Sequence, residues 1–461
     1  MQAIRCLVLG LWLCLTGPQS YAGEGSRAAG PICQPERFGG EANDNRSDTT
    51  ALQAAIASCA GRDGTVAVSA GEWLTGGLTL GSDMTFRLEA GAILRLIPDM
   101  ALYPAIDAGT GASDRSRYAA LFAPFARNLR IEGPGLIDGS GPLFWDENFY
   151  ELGIPRPTLP RPGPVIELAD CRNVVVDGLR MENLPGYAIR FHRCQYGLAL
   201  DVRIRNDLRS PNTDGIQIRD SADIRIQRAD ISTGDDAVVL KSGGRAVERI
   251  VIEDSHLISD DAAIKFGTGS WHGVKDSIFR RNVIDESRYG IAIFTLDGGV
   301  HERNVFEDMT ITTGGRHRRT YPVYVDVDRR EADREWGGVD GLTLRNVEIV
   351  SDGASLIAGN PNGLLYDIRL ENVTISRLDE AENLQRRAGK PRGNVTIATQ
   401  VDSVDYSRSA AEIVIAHARG VFLDALLTPG CVDLGKRKPI ELVDVEFSAL
   451  SAESSAGEVC P

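Results

Sequence analysis

Three aspartates could act together in this chain. Asp214 opens the run DGIQI, and Asp236 opens DAVVL 22 residues later with Asp235 beside it. Asp261 opens DAAI after a further 25 residues with Asp260 beside it, and Tyr289 opens YGIAI after 28 more. If each step is one coil of a stacked array, Asp214, Asp236 and Asp261 fall on three consecutive rungs at one turn. Carboxylates about 5 Å apart cannot all ionise cheaply, so at least one should keep its proton toward neutral pH while others stay charged. A protonated acid beside ionised bases suits cleavage of a glycosidic bond: one group protonates the leaving oxygen and another activates water. A lone aspartate at such a turn more simply caps backbone N–H groups. Five on adjacent rungs, in two Asp-Asp pairs, favour catalysis.

The elements that would position them form an imperfect repeat. Short β-branched runs end at Met181, Ile204, Ile231, Leu257, Ile284, Ile311, Ile349 and Ile375, in steps of 23, 27, 26, 27, 27, 38 and 26 residues. Each run alternates with period two and is flanked by Gly, Asn or Asp. The period is too long for a hairpin meander and lacks a helical crossover. A coil of about 25 residues with three short strands fits, each strand pairing with its copy about 4.8 Å away. The expected fold is therefore all-β: a single-stranded right-handed parallel β-helix, a solenoid, with a short N-terminal capping helix. Asn282, Asn346 and Asn372 are read as equivalent points, forming either an inward ladder that satisfies turn backbone or ordinary surface turns. Open sheet ends invite further pairing and need covers. Ser47 to Cys59 is read as the helical cover, with Asp48 as N-cap and Leu52 and Ile56 on one face. The segment carrying Cys431 and Cys460 is the candidate at the other end. No linker divides the chain, so residues 23–461 are expected to form one domain.

Residues 1–22 read as a secretory signal. Arg5 precedes the apolar stretch Cys6 to Leu15, and Ser20 and Ala22 are small residues before a cut at Gly23. Ten apolar residues are too few to span a bilayer. Removing the signal leaves six cysteines, whose grouping suggests pairs 33–59, 171–194 and 431–460, with other connectivities open. None shows CxxC spacing, which gives little support to a zinc or redox site; no cofactor and no metal are expected. The net charge of −14, or −15 without the signal's single arginine, argues against nucleic acid or an anionic membrane as partner. A secreted or periplasmic monomer acting on a polysaccharide or oligosaccharide is the expectation.

From Ser210 to Gly243 the chain holds SPNTDGIQI and ISTGDDAVVLKSG. Here it resembles glycoside hydrolase family 28, the polygalacturonases and their relatives. Asn212-Thr213-Asp214-Gly215 is similar to that family's first signature and Gly234-Asp235-Asp236 to its second, at the family's usual spacing of 21 residues from Asp214 to Asp235. Weaker similarity covers residues 71–94 and 161–181, and the resemblance runs from around Cys33 to beyond Ile375. It implies an inverting hydrolase in which Asp235 is the general acid and Asp214 with Asp236 hold and deprotonate water. Acid and base should then stand roughly 6.5–9.5 Å apart.

Two further signatures of the family are missing. Asp261 stands where a Gly-His-Gly motif has its histidine, and Ala292-Ile293-Phe294 stands where Arg-Ile-Lys is expected. In polygalacturonases that Arg and Lys bind a substrate carboxylate beside the cut, a task for cationic donors. Plain polygalacturonate is therefore disfavoured as substrate. Asn212 and Asp261 are candidate substrate contacts, Lys241, Lys265, Arg288 and His301 candidate replacement donors, and Tyr289, Trp145, Trp271 and Trp336 candidate stacking surfaces. Each has an ordinary structural alternative. Two rival functions remain at this stage: a polysaccharide lyase using calcium bound by Asp260 and Asp261, and a non-catalytic carbohydrate-binding β-helix.

Overall fold

Alternation of period two sends every second side chain of a strand to one face, and in this chain that face turns inward to a shared core. The computed structural model describes residues 30–106, 118–145, 160–314, 320–378, 406, 409, 411–427 and 438–450. The signal segment, Cys431 and Cys460 lie outside the described residues. Among the described residues thirty-four strands form one sheet, and every pairing between these strands is parallel. Each strand pairs with its counterparts on the coils before and after it, which is the expected β-helix.

The site-bearing face consists of β1 (Leu121–Pro124), β2 (Ile166–Ala169), β3 (Ile189–His192), β4 (Ile216–Arg219), β5 (Val238–Ser242), β6 (Ala262–Ser270), β7 (Tyr289–Thr295), β8 (Tyr321–Val327), β9 (Ser355–Ala358) and β10 (Ala411–Leu427). Its inward positions stack apolar side chains in register. Ile166, Ile189, Ile216, Val238, Ile264, Ile291 and Val323 form one column. Leu168, Phe191, Ile218, Leu240, Phe266, Ile293 and Val325 form the next, and all are buried. Each such side chain contributes about 1.5–3 kcal/mol by leaving water. These columns hold the rungs in one register, because a slip of one residue would turn them all to solvent.

The corners between faces require a left-handed backbone. Asn173, Tyr196, Asp223, Arg249, Asp276 and Arg303 take positive φ on successive rungs, and so do Asp201, Arg228, Asp254, Arg281, Asp308, Asn346 and Asn372. Short polar side chains tolerate this conformation best, which accounts for the Asn and Asp flanking each run. Where arginine occupies a corner, the carboxylate one rung below receives it: Arg228 on Asp201, Arg281 on Asp254, Arg249 on Asp223, Arg303 on Asp276. The asparagines divide between these situations. Asn346 donates to Asp308 and Asn372 to Asn346 along an exposed corner, whereas Asn282 is buried and bonds Ser255 N and Ile252 O. They are not equivalent points, since Arg281 and not Asn282 occupies the corner column.

Helix α1 (Thr49–Cys59) covers the N-terminal end, burying Leu52 and Ile56 as expected. Asp48 precedes it, but its carboxylate accepts from Glu41 N and Leu74 N and does not cap the helix. A disulfide joins Cys33 to Cys59. Cys171 and Cys194, the second expected pair, are buried free thiols. They occupy stacked positions on neighbouring rungs, beside the pair Arg172 and Gln195.

Candidate active site

Two turns, built by the two sequence signatures, fit into each other. Gly234 lies so close to the first turn that a Cβ there would meet Ser210 O at 2.3 Å. Its N–H donates to Thr213 Oγ1, and the Asp235 carbonyl accepts from both Thr233 Oγ1 and Ser259 Oγ at 2.7 Å. Gly215 is equally constrained, for a Cβ would stand 2.4 Å from Ala237 O on the next rung. Three aspartates are thereby fixed at the N-terminal ends of β4 and β5.

Register places Asp214 directly below Asp236, because Ile216 pairs with Val238 and Gly215 N donates to Asp236 O. Asp261 does not continue that stack. Val238 pairs with Ile264, so Asp261 lies level with Asp235, and Ala262 and Tyr289 extend the column above Asp236. The runs DAAI and DAVVL look alike, but β6 is offset from β5 by one residue more than the pattern suggests. Asp260, which flanks Asp261, is buried.

Asp214 and Asp236 are 2% and 3% exposed, while Asp235 is partly open to solvent. Burial, aided by the charge of Asp235, pushes the Asp214 carboxyl up to about 7. Burial also raises Asp236 well above the ordinary carboxylate range, against the pull of the Lys265 ammonium. Lys265 stands 3.0 Å from Asp236 and 3.2 Å from Asp261. Desolvation works to lower the Lys265 pKa, but Asp236, Asp261 and Asp235 outweigh it and hold the ammonium charged. Asp235 accepts from Asn212 Nδ2 on one oxygen and from Asp236 N on the other.

Asp235, Asp236 and Asp261 bring oxygens within 4.8 Å of one another. Such a trio could share a divalent cation, yet Lys265 already bridges two of its members, and the calcium-dependent reading draws no support from it. The same spacing sets Asp235 and Asp236 closer than the roughly 6.5–9.5 Å expected of an inverting acid and base.

The expected substrate contacts fare unequally. Asn212 has both ends of its amide engaged: Oδ1 accepts from Arg161 and Nδ2 donates to Asp235. Arg161, which also donates to Pro211 O, went unnoticed in the sequence, where RPGPVI offers only a proline-bounded arginine. Lys265 is consumed by the aspartates. Arg288 lies over the Tyr289 ring, 3.4 Å from Asp261. His301 is no donor to the cleft: it is 1% exposed inside the coil, against Phe266, with Val274 N and Phe294 O as partners. Burial lowers its pKa to about 4 and keeps the ring neutral. Trp145 is buried with its N–H on Pro185 O, and Trp336 carries Arg329 over its ring. Trp271 is partly exposed and follows the irregular stretch of β6, at Gly267–Ser270. Lys241 is partly exposed at the end of β5, with its ammonium 5.8 Å from the Tyr187 ring.

Beyond the aspartates the outer face of β7 is apolar, and β8 sets Tyr324 and Asp326 beside it. Ala292, Phe294 and Leu296 join Tyr289, Tyr321 and Tyr324 in a cluster separate from the coil's core. Tyr289 and Tyr321 stack at 5.3 Å, and Tyr324 meets both edge-on.

Comparison with known proteins agrees with this architecture. The model of the family described as Glycosyl hydrolases family 28 matches residues 105–351. A probable polygalacturonase of Vitis vinifera is 29% identical over 382 residues, 75% of this chain and 74% of that one. An exopolygalacturonase of Zea mays is 28% identical over 251 residues, 52% of this chain and 57% of its own length. Among solved structures, an exopolygalacturonase of Thermotoga maritima superposes with a TM-score of 0.64 at 18% identity, covering 86% of this chain and 91% of that one. A family 28 exopolygalacturonase of Yersinia enterocolitica gives 0.63 at 18%, covering 91% and 78%. At such identities these two structures speak for the fold.

Proposed function

The chain belongs to the glycosyl hydrolases of family 28 and is a polygalacturonase-like glycoside hydrolase, and from that premise we propose that it is an exported enzyme that hydrolyses a pectin-type polysaccharide other than plain polygalacturonate. Asp235 protonates the leaving oxygen, and Asp214 with Asp236 hold and deprotonate the attacking water. The observation that carries this reading is the trio itself: two buried carboxyls with raised proton affinity flank a third that reaches solvent. A buried carboxyl near its pKa is a competent base around neutrality, and the solvent-facing one can approach a leaving group.

The substrate restriction rests on the far side of the trio. Ala292 and Phe294 supply no positive charge there, and Phe294 is 1% exposed. Lys265, one rung nearer, is held by Asp236 and Asp261. A uronate carboxylate at that position would lose hydration and find its cations, Lys265 and Arg288, already facing Asp236 and Asp261.

A panel of pectic polysaccharides, assayed for new reducing ends, tests the proposal. Asp235→Asn should lower the rate about 10²–10⁴-fold, the usual worth of general acid catalysis. An aryl glycoside with a good leaving group should suffer less, because its departing oxygen needs no proton. Best turnover on polygalacturonate, or an unsaturated product absorbing in the ultraviolet, would contradict the proposal.

A further inference from the structure

Five strands on successive rungs end in a hydroxyl that is no more than 1% exposed: Thr233, Ser259, Ser287, Thr313 and Ser351. Thr233 pairs in register with Ser259, and Thr313 with both Ser287 and Ser351. The upper members bond within the file: Ser287 Oγ accepts from Ser259 N, and Thr313 and Ser351 share a hydrogen bond. The first two do something else. Thr233 Oγ1 and Ser259 Oγ both donate to the Asp235 carbonyl, each at 2.7 Å. Ser259 Oγ also accepts from Asp261 N at 2.9 Å, so its single proton serves Asp235 and a lone pair serves Asp261. The peptide group whose carbonyl is held in this way ends in Asp236 N, which donates to Asp235 Oδ1 at 3.1 Å. A peptide group is planar and turns as a unit. With its oxygen set between two buried hydroxyls, its N–H is aimed at the Asp235 carboxyl. Ser259 therefore bonds the main chain of both residues that lie level, Asp235 and Asp261.

We propose that Ser259 is a positioning residue for proton donation: through the Asp235–Asp236 peptide it orients the Asp235 carboxyl toward the leaving oxygen, and through Asp261 N it fixes the carboxylate beside it. This rests on the hydrolase reading and adds to it a residue that, at 0% exposure, never touches the substrate. Thr233 supplies the second hydroxyl, so loss of Ser259 loosens the peptide without releasing it. The serine also accounts for the offset between β5 and β6, because its bond to Asp261 N sets that residue level with Asp235.

The test compares wild type, Ser259→Ala, Ser259→Thr and Thr313→Val on a pectic oligosaccharide and on an aryl glycoside of the same sugar. Ser259→Ala should lower kcat on the oligosaccharide about tenfold with KM little changed, because a misplaced donor costs the transition state and not ground-state binding. The aryl glycoside, whose leaving group departs without a proton, should lose much less. Ser259→Thr keeps the oxygen and should recover most of the rate. Thr313→Val deletes an equally buried hydroxyl of the same file, away from the aspartates, and should lower the melting temperature without separating the two substrates. If Ser259→Ala does not fold, Thr233→Val takes its place, since it keeps the side chain's shape, removes the other hydroxyl on Asp235 O and should show the same dependence on leaving group. Equal losses on both substrates, an unchanged kcat, or no recovery with threonine would overturn the proposal. If wild type cleaves neither substrate, the hydrolase reading fails on its own. Amide hydrogen exchange then decides the positioning role: faster exchange at Asp236 and Asp261 in Ser259→Ala but not in Thr313→Val supports it, and unchanged exchange refutes it.

Discussion

Replacing Lys265 by methionine tests the electrostatics of the site most severely. The side chain is nearly buried, and its ammonium stands 3.0 Å from an Asp236 oxygen and 3.2 Å from Asp261. At an effective dielectric constant of about 20, each contact corresponds to about 5 kcal/mol of Coulomb attraction. Desolvation of the three ions offsets much of this, so the net loss expected on removing one member of a buried pair is about 3–5 kcal/mol. Methionine keeps the stem's packing and deletes the charge. Without the ammonium, the folded-state pKa of Asp236 rises further above its unfolded value. A carboxyl raised in this way stabilises the fold below its unfolded pKa and loses that contribution as pH climbs through the folded one. The Lys265→Met deficit should therefore be small near about pH 4 and widest above neutrality. Urea denaturation across that range measures it, and the double variant Lys265→Met/Asp236→Asn should recover much of the loss at high pH because the unpaired charge is gone. Wild-type stability for Lys265→Met at neutral pH, or no rescue by the second substitution, would refute the assignment of Lys265 as counter-charge to Asp236.

Further predictions concern protonation and positioning. With Asp214 titrating at about 7 in the free protein, kcat/KM should rise across neutrality as that carboxyl ionises, and Lys241→Met should displace the rise to higher pH by removing a nearby cation. The same shift makes the Asp214 contribution to stability decline as pH rises from its unfolded value of about 4 through 7, so Asp214→Asn should flatten that part of the stability profile, read by thermal unfolding. Arg161→Ala frees the Asn212 amide to turn away from Asp235; kcat should fall about tenfold with KM and melting temperature little changed, and Arg161→Lys should restore only part of it.

The repeat, the parallel coil, the inward columns and the covering helix were legible in the sequence because each follows from local alternation and spacing. The Asp214–Asp236 stack was legible for the same reason, since one short coil separates them. Asp261 was misplaced by one residue because DAAI and DAVVL carry the same apolar pattern, and only the hydrogen bonds between β5 and β6 decide which residues lie level. His301 was taken for a cleft donor, but it lies in the strand Val300–Thr313, whose alternation turns it into the coil. Cys171 and Cys194 were correctly brought together on neighbouring rungs, but they stand there as free thiols.

Residue types at repeat spacing thus determined that carboxylates would crowd at one turn of a β-helix, because stacking is a local rule applied again and again. Which carboxyl is buried, which meets an ammonium and which opens to solvent was decided by tertiary structure alone. Those properties depend on side chains far apart in the chain, such as Arg161, Asn212, Asp235 and Lys265, converging on one small volume where desolvation and Coulomb attraction are both strong.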